Sequence, residues 1–277
     1  MNGFKLGLVF GFLKKHRRLR SASGVGQRLK KNESELAAFW ELESTTQEQI
    51  FMDHFLQAQG FSLKRYDSFD MPGIPKDAYT FLLLRDGDGA LTPWADAEAL
   101  IEQCRIKVNG KPELKDETRA WVALLWLNLL QLQYPMVGRG LSEVSRYQES
   151  FVSKDKLAES MKEAVRAERE KDIEESSPAR NYILNSASPS INTRVNRFVS
   201  YLNGIGHLEE FGNEKGVFQQ TLLAAAEIGV NYDDGLLLLL PHDEDEELEL
   251  GENQIFAQME HAFELAEQGE MAHEQEL

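Results

Sequence analysis

The chain has little cysteine and a deficit of positive charge. Its single cysteine, Cys104, excludes an internal disulfide and any metal site that needs paired cysteines. The 46 Asp and Glu against 30 Lys and Arg give a formal net charge of −16, which argues against a protein whose whole surface binds nucleic acid. With 42% hydrophobic residues the composition is that of an ordinary globular chain. We expect a cytoplasmic protein.

Long apolar runs are also missing. A bilayer span needs about 20 apolar residues, whereas the five leucines at 236–240 are too few and predict a buried strand or helix. The apolar stretch at 6–13 is interrupted by glycine and precedes the basic cluster, the reverse of a secretory signal. We therefore expect no membrane partner.

The charges are unevenly distributed. Residues 1–31 hold nine basic residues and no acid, whereas residues 243–277 hold thirteen acids and no Lys or Arg. The first pattern predicts a basic leader that stays disordered until it meets a partner, with a position on DNA or on an anionic membrane as the alternative. Its candidate phosphate contacts are Lys14, Lys15, Arg17 and Arg18.

The acidic residues 243–277 are predicted to form a tail that contains an amphipathic helix. Its apolar side chains include Phe256, Met259 and Phe263, which are candidates for an interface. The surface that covers them is either the rest of this fold or another protein.

One structural unit occurs twice, near residues 44–84 and 192–223. In the first copy a helix capped by Ser44 ends at Gly60, and two strands follow around the loop at 71–75. In the second copy a helix at 192–202 precedes two strands around a tight loop at 212–216. Helix, glycine, strand, loop and strand form the last part of a winged-helix domain.

Between the two units lies the most apolar helix of the chain, residues 117–134. A helix with one face exposed to solvent would not contain two tryptophans and so many leucines. It is either central to the core of the monomer or half of a subunit interface. The candidates for that interface are Trp121, Leu125, Trp126 and Leu129.

The predicted fold class is α+β, mostly α, with tandem winged-helix domains, an apolar central helix and charged termini. The predicted boundaries are as follows: basic leader, 1–31; first winged-helix domain, 32–105; helical connector and dimerisation region, 106–173; serine- and proline-rich linker, 174–190; second winged-helix domain, 191–242; acidic tail, 243–277.

No pattern of residues predicts catalysis. The six histidines are scattered without a metal-ligand spacing. The acidic turn at 86–89 lacks the later ligands of a calcium loop, and the glycines at 24 and 26 lack the lysine of a phosphate loop. Cys104 is expected to be a buried thiol. We therefore expect a protein that is not an enzyme and that has no metal or other cofactor.

The functions left to consider are the binding of DNA and the binding of protein partners. A winged helix can place a helix in the major groove and its wing on phosphates. In the second unit the helix carries Arg194 and Arg197 and the wing carries Lys215, which is a sparse set of cations beside Glu209 and Glu210. Winged helices also dock proteins, which suits an acidic chain better than sequence-specific reading of DNA.

The order of these parts resembles the kite proteins, the accessory subunits of bacterial condensin-like SMC complexes. The likeness is to the MksE type, which includes the equivalent subunit of the Wadjet plasmid-defence system. It is carried by residues 55–63 (FLQAQGFSL), 78–82 (AYTFL) and 194–211 (RVNRFVSYLNGIGHLEEF), and it covers roughly residues 44–223. The basic leader and the acidic helix at 253–268 lie outside this pattern.

The resemblance implies a non-enzymatic subunit that dimerises and binds the kleisin, the chain that bridges the heads of the SMC ATPase. Such a complex is associated with the nucleoid, acts on DNA without reading its sequence, and in the Wadjet case serves in defence against plasmids. The alternative is a winged-helix transcription regulator, which would bind one specific duplex by itself.

Overall fold

The computed structural model describes residues 3–24, 28–85, 96–108, 110–134, 138–140, 143–170, 178–185, 190–211 and 215–231. The fold is α+β and mostly helical, with small antiparallel sheets, so this part of the predicted fold class is confirmed. The chain divides into two compact units. Unit 1 comprises Met1–Asp96, Arg139–Phe151 and Leu202–Asp234, and unit 2 comprises Ala97–Gly138, Val152–Tyr201 and Gly235–Leu277.

The first part of unit 1 combines helices with an antiparallel sheet. Its elements are α1 (Gly3–His16), β1 (Arg18–Arg20), α2 (Glu33–Ala38) with a π-helical turn (Phe39–Glu43), α3 (Thr46–Gln57), β2 (Phe61–Asp67) and β3 (Tyr79–Arg85). The strand order is β1-β3-β2. β1 pairs with β3 through Leu19 and Phe81, and β2 pairs with β3 through Leu63 and Leu83. The helix, glycine and hairpin predicted near 44–84 are therefore present.

Local signals determine where α3 begins and ends. The Thr45 side chain accepts the backbone N–H of Glu48, whose carboxylate in turn accepts the Thr45 N–H, so the two form a capping box. The predicted cap, Ser44, is one residue too early, because its hydroxyl donates to the Trp40 carbonyl instead. Gly60 follows the helix with a φ of 73°, a left-handed conformation that glycine adopts without strain.

Residues 1–31 are not the leader that the charge pattern predicts. Leu6, Val9 and Leu13 recur on one face of α1 and are buried in a core that also contains Leu19 and Trp40. Burial of these side chains stabilises α1 and β1 within unit 1. Some of the basic residues, such as Lys14 and Lys15, are exposed, whereas Arg17 and Arg20 are buried in this folded segment. The prediction of a disordered leader is therefore wrong for the described part of it.

The remaining elements of unit 1 follow later in the chain. A 3-10 helix (Val144–Glu149) leads to Phe151, the first residue of β6 (Phe151–Ser153) and the last of this stretch of unit 1. β7 (Leu208–Glu210), β8 (Val217–Gln220) and α9 (Leu222–Asn231) come after it. The strand order of this sheet is β6-β8-β7. Leu223 and Ala226 of α9 share a core cluster with Leu82 and Leu84 of β3. The second predicted hairpin is thus present and is followed by a helix.

Unit 2 is built around the apolar helix. Its elements are α4 (Ala97–Cys104), β4 (Lys107–Val108), β5 (Lys111–Pro112), α5 (Lys115–Gln133), α6 (Lys154–Glu170), α7 (Pro178–Asn185) and most of α8 (Ile191–Gly204). α4, α6 and α7 all pack against α5. The apolar helix predicted at 117–134 is confirmed within two residues at each end, and α6 is a second helix within the predicted helical connector.

Two predicted boundaries differ from the structure. The linker at 174–190 contains α7, which starts with Pro178 in the position that proline favours and is anchored by a buried ion pair between Arg180 and Glu168. The domain predicted at 191–242 is divided, because its helix belongs to unit 2 as far as Tyr201 whereas its hairpin belongs to unit 1.

Candidate partner-docking surface

Helices α1 and α3 of unit 1 present large apolar side chains to solvent. Phe4 and Leu8 of α1 are exposed, and Ile50, Phe51 and Phe55 of α3 are exposed as well, with Phe4 at 77% and Phe51 at 53% of their full area. We call these five residues the α1–α3 apolar surface. An exposed cluster of this kind on a globular protein marks a site of interaction.

Aromatic contacts hold this surface together. The Phe51 and Phe55 rings stack with their centroids 6.2 Å apart, as expected for residues four apart on a helix. The Phe55 ring also meets the half-buried Phe10 of α1 edge-on at 5.0 Å. The second contact joins α1 to α3, so both helices contribute to one surface.

Three glycines leave part of the exposed side of α1 without side chains. Gly3, Gly7 and Gly11 recur every four residues, and a Cβ atom built on any of them would meet nothing within 4 Å. The backbone of another helix could approach closely at such positions. Because Phe4 and Leu8 lie beside these glycines along the helix, α1 combines projecting apolar side chains with small residues.

The four cations predicted to contact phosphates fall into two groups. Lys14 and Lys15, in the last turn of α1, are exposed. Arg17 is buried and hydrogen-bonded to Glu227, and Arg18 lies 3.6 Å from the Glu209 carboxylate with about a fifth of its side chain exposed. Burial and pairing remove Arg17 and Arg18 from the candidate DNA contacts.

Glu227 is the centre of a buried network in unit 1. Its carboxylate accepts hydrogen bonds from both Arg17 Nη atoms, from His207 Nε2 at 3.0 Å and from the Arg85 amide at 3.2 Å. Burial alone would raise the pKa of Glu227, but the His207 hydrogen bond and the Arg17 charge outweigh it and lower the pKa to about 2. The network ties α9 to β3 and to the residue before β1.

The cations predicted on the second winged helix are separated by the structure. The Arg194 guanidinium is 1% exposed, pairs with Glu113 at 2.5 Å and lies 4.5 Å from the centre of the Trp121 ring. Arg197 is exposed and donates to the Arg105 carbonyl. Lys215 is exposed beside β8. Arg194 therefore stabilises the interior of unit 2 and does not reach a phosphate.

The predicted dimer seam on α5 is mostly internal. Trp121, Leu125 and Leu129 are each at most 2% exposed within the single chain. Trp126 is half-buried and meets Phe198 of α8 edge-on at 6.3 Å. Of the two readings of this helix, the structure supports the core of the monomer, and three of the four interface candidates offer no surface to a second copy.

The other interface candidates, Phe256, Met259 and Phe263, lie outside the described residues. Five further basic residues lie within residues 1–31 and were not predicted to contact phosphates. Arg28, Lys30 and Lys31 are exposed in the structure. The high density of positive charge in this region is visible in the sequence. The prediction of a disordered region, however, does not place these cations on one folded surface.

Within the described ranges no group of three His, Cys, Asp or Glu could hold a metal ion, and no helix is long and apolar enough to cross a bilayer. A small pocket of about 40 Å³ in unit 1 is lined by Arg18, Tyr147 and Glu209, among others. Burial raises the pKa of the Cys104 thiol to about 12, so this thiol is not a nucleophile at neutral pH.

Comparison with known proteins adds no family. No protein-family model matches the chain, and no curated protein matches it.

Proposed function

We propose that this protein is a non-enzymatic accessory subunit of the kite type, which dimerises and binds the kleisin of a condensin-like SMC ATPase complex that acts on DNA. The observation that carries the proposal is the exposed apolar cluster of Ile50, Phe51 and Phe55 on α3, a helix that has no Lys or Arg. That face suits a protein partner and does not suit phosphates.

The order of elements in unit 1 supports two parts of this proposal. Helix, strand, two helices and a hairpin, with the first strand paired beside the last, is the order of a winged-helix domain. α3 then has the place of the recognition helix. A helix that binds DNA usually offers Arg or Lys to the bases and phosphates. α3 has no Lys or Arg, and beside Gln47 and Gln57 it exposes the apolar Ile50, Phe51 and Phe55.

The occupant that best fits the α1–α3 apolar surface is a second copy of this chain. A row of glycines flanked by Phe4 and Leu8 lets two identical helices approach closely, and each copy would supply both the projecting and the flat part of the contact. A dimer seam at this surface leaves α5 in the core, where the structure has it. Kleisin binding follows from the resemblance to kite subunits.

The alternative, a transcription regulator with a second winged helix that reads DNA, depends on Arg194 and Arg197. Arg194 is buried against Glu113, and Arg197 is a single exposed arginine on its helix. The helix α8 therefore does not supply the dense basic face that an operator reader needs.

Co-purification from the native host tests the proposal. The tagged protein should recover a large coiled-coil ATPase and a kleisin-like chain, identified by mass spectrometry, and light scattering should find two copies of this protein in the complex. Recovery of the protein without such partners would overturn the proposal and favour the regulator.

A variant pair tests the surface. F51E/F55E should be monomeric in light scattering, because charges at the seam would have to be desolvated on association. The control F69E/V230E makes the same change at two exposed apolar residues away from the surface and should stay dimeric. A dimeric F51E/F55E protein would show that the second copy docks elsewhere.

A further inference from the structure

Five exposed cations of unit 1 come from two neighbouring stretches of the chain. Lys14 and Lys15 end α1, and Arg28, Lys30 and Lys31 precede α2. We call them the α1–α2 basic patch. No acidic side chain in the described part of the chain forms an ion pair with any of the five.

Hydrogen bonds of Arg20 bring the two stretches together. Its guanidinium donates to the Arg28 carbonyl at 2.9 Å and to the Glu33 carboxylate at 2.7 Å, and the Lys30 amide donates to the same carboxylate at 2.7 Å. The segment before α2 is thereby held to β1, which directly follows the last turn of α1. α1 also packs against α2 and β1.

The electrostatics of this region agree with its geometry. Burial and the charges of Lys15 and Lys30 lower the pKa of His16, so both stretches act on one imidazole. Glu33 is buried and its charge is offset by Arg20, so it leaves the surface basic. One exposed acid, Glu35, lies in the first turn of α2, and the cations outnumber it five to one.

We propose that the α1–α2 basic patch binds the phosphate backbone of duplex DNA without reading its sequence, an inference that rests on the proposed function in taking DNA as the polyanion on which the complex acts. Lysines act as mobile point charges, which suits phosphates and does not discriminate between bases. The exposed residues of the patch are charged, with the polar Asn32 beside them, and offer no apolar side chain to insert into a bilayer.

Salt dependence gives the expected size of the effect. Each phosphate neutralised contributes about −0.9 to the slope of log binding constant against log salt. Four or five contacts therefore predict a slope near −4, and weak non-specific affinity in the micromolar range at low salt.

The test measures the affinity of the full chain for a fluorescein-labelled 30-base-pair duplex of random sequence. Binding is detected by fluorescence anisotropy at salt concentrations between 25 and 200 mM. The variant K14E/K15E/K30E/K31E should bind at least tenfold more weakly and lose most of the salt dependence. The control variant K64E/K76E/K107E/K111E makes the same change in net charge at exposed lysines elsewhere on the chain. Its affinity for the duplex should fall by less than threefold.

The proposal would be overturned if the two variants lost affinity for the duplex equally, or if the unmodified chain did not bind the duplex at 25 mM salt. Strong preference for one duplex sequence would overturn it as well. Competition by an acidic peptide but not by unlabelled duplex would assign the patch to a protein partner. Failure here is distinguishable from failure of the proposed function, because the same quadruple variant should still co-purify with the ATPase and the kleisin-like chain.

Discussion

Replacement of Glu227 by glutamine should strongly destabilise unit 1. Glutamine keeps the size of the side chain but removes the negative charge that accepts hydrogen bonds from Arg17 and His207. Its amide group also places a hydrogen-bond donor opposite the donors of those residues. The pKa of this carboxyl is about 2 against an ordinary 4.5. That difference corresponds to about 3 kcal/mol of stability at neutral pH, within the range of about 3–5 kcal/mol for breaking a buried ion pair.

Urea unfolding followed by circular dichroism at several pH values would measure the effect. Because the folded-state pKa of Glu227 is depressed, its contribution is fully present above the unfolded pKa of about 4.5 and is lost as the pH falls toward 2. The difference between the E227Q and unmodified proteins should therefore be large at pH 7 and shrink through this window. The surface pair of Lys5 and Glu43 supplies the control, since E43Q should cost at most about 1 kcal/mol. A cost below 1 kcal/mol for E227Q at pH 7 would refute the reasoning.

Two further predictions concern unit 2. Arg194→Met should destabilise it by about 3–5 kcal/mol, because Glu113 would stay buried without its partner, and the R194M/E113Q double variant should lose less than the sum of the single variants in chemical denaturation. Cys104 should resist a thiol reagent in the native protein and react fully in 6 M urea, because burial raises its pKa to about 12; complete reaction within minutes under native conditions would contradict its placement.

Much of the secondary structure followed from periodicity. The hairpin around 71–75 shows alternation and turn residues, and α5 is apolar on nearly every side, so both were predictable without tertiary information. α1 was misjudged although Leu6, Val9 and Leu13 carry a helical period, because its glycines and lack of acids also fit a leader. α7 could have been found from Pro178, which favours the first position of a helix.

Long-range pairing explains why the candidate site was less predictable. Arg194 meets Glu113 across 81 positions of sequence, and Arg17 meets Glu227 across 210. An arginine that will be buried against a glutamate looks the same in sequence as one that will contact a phosphate. Only the fold separates the exposed Lys14 and Lys15 from the buried Arg17 that follows them.

The fold of α1 also changes what the basic residues can do. In a disordered leader, binding of a polyanion would have to offset the entropy of ordering the chain, which costs about 1–2 kcal/mol per residue. In the structure that cost is already met by burial of Leu6, Val9 and Leu13 in the core. The exposed side of the same helix contributes to the α1–α3 apolar surface, and its last turn contributes Lys14 and Lys15 to the basic patch. One helix therefore presents exposed apolar side chains and a preorganised set of cations at the same time, so neither surface would have to be ordered on binding.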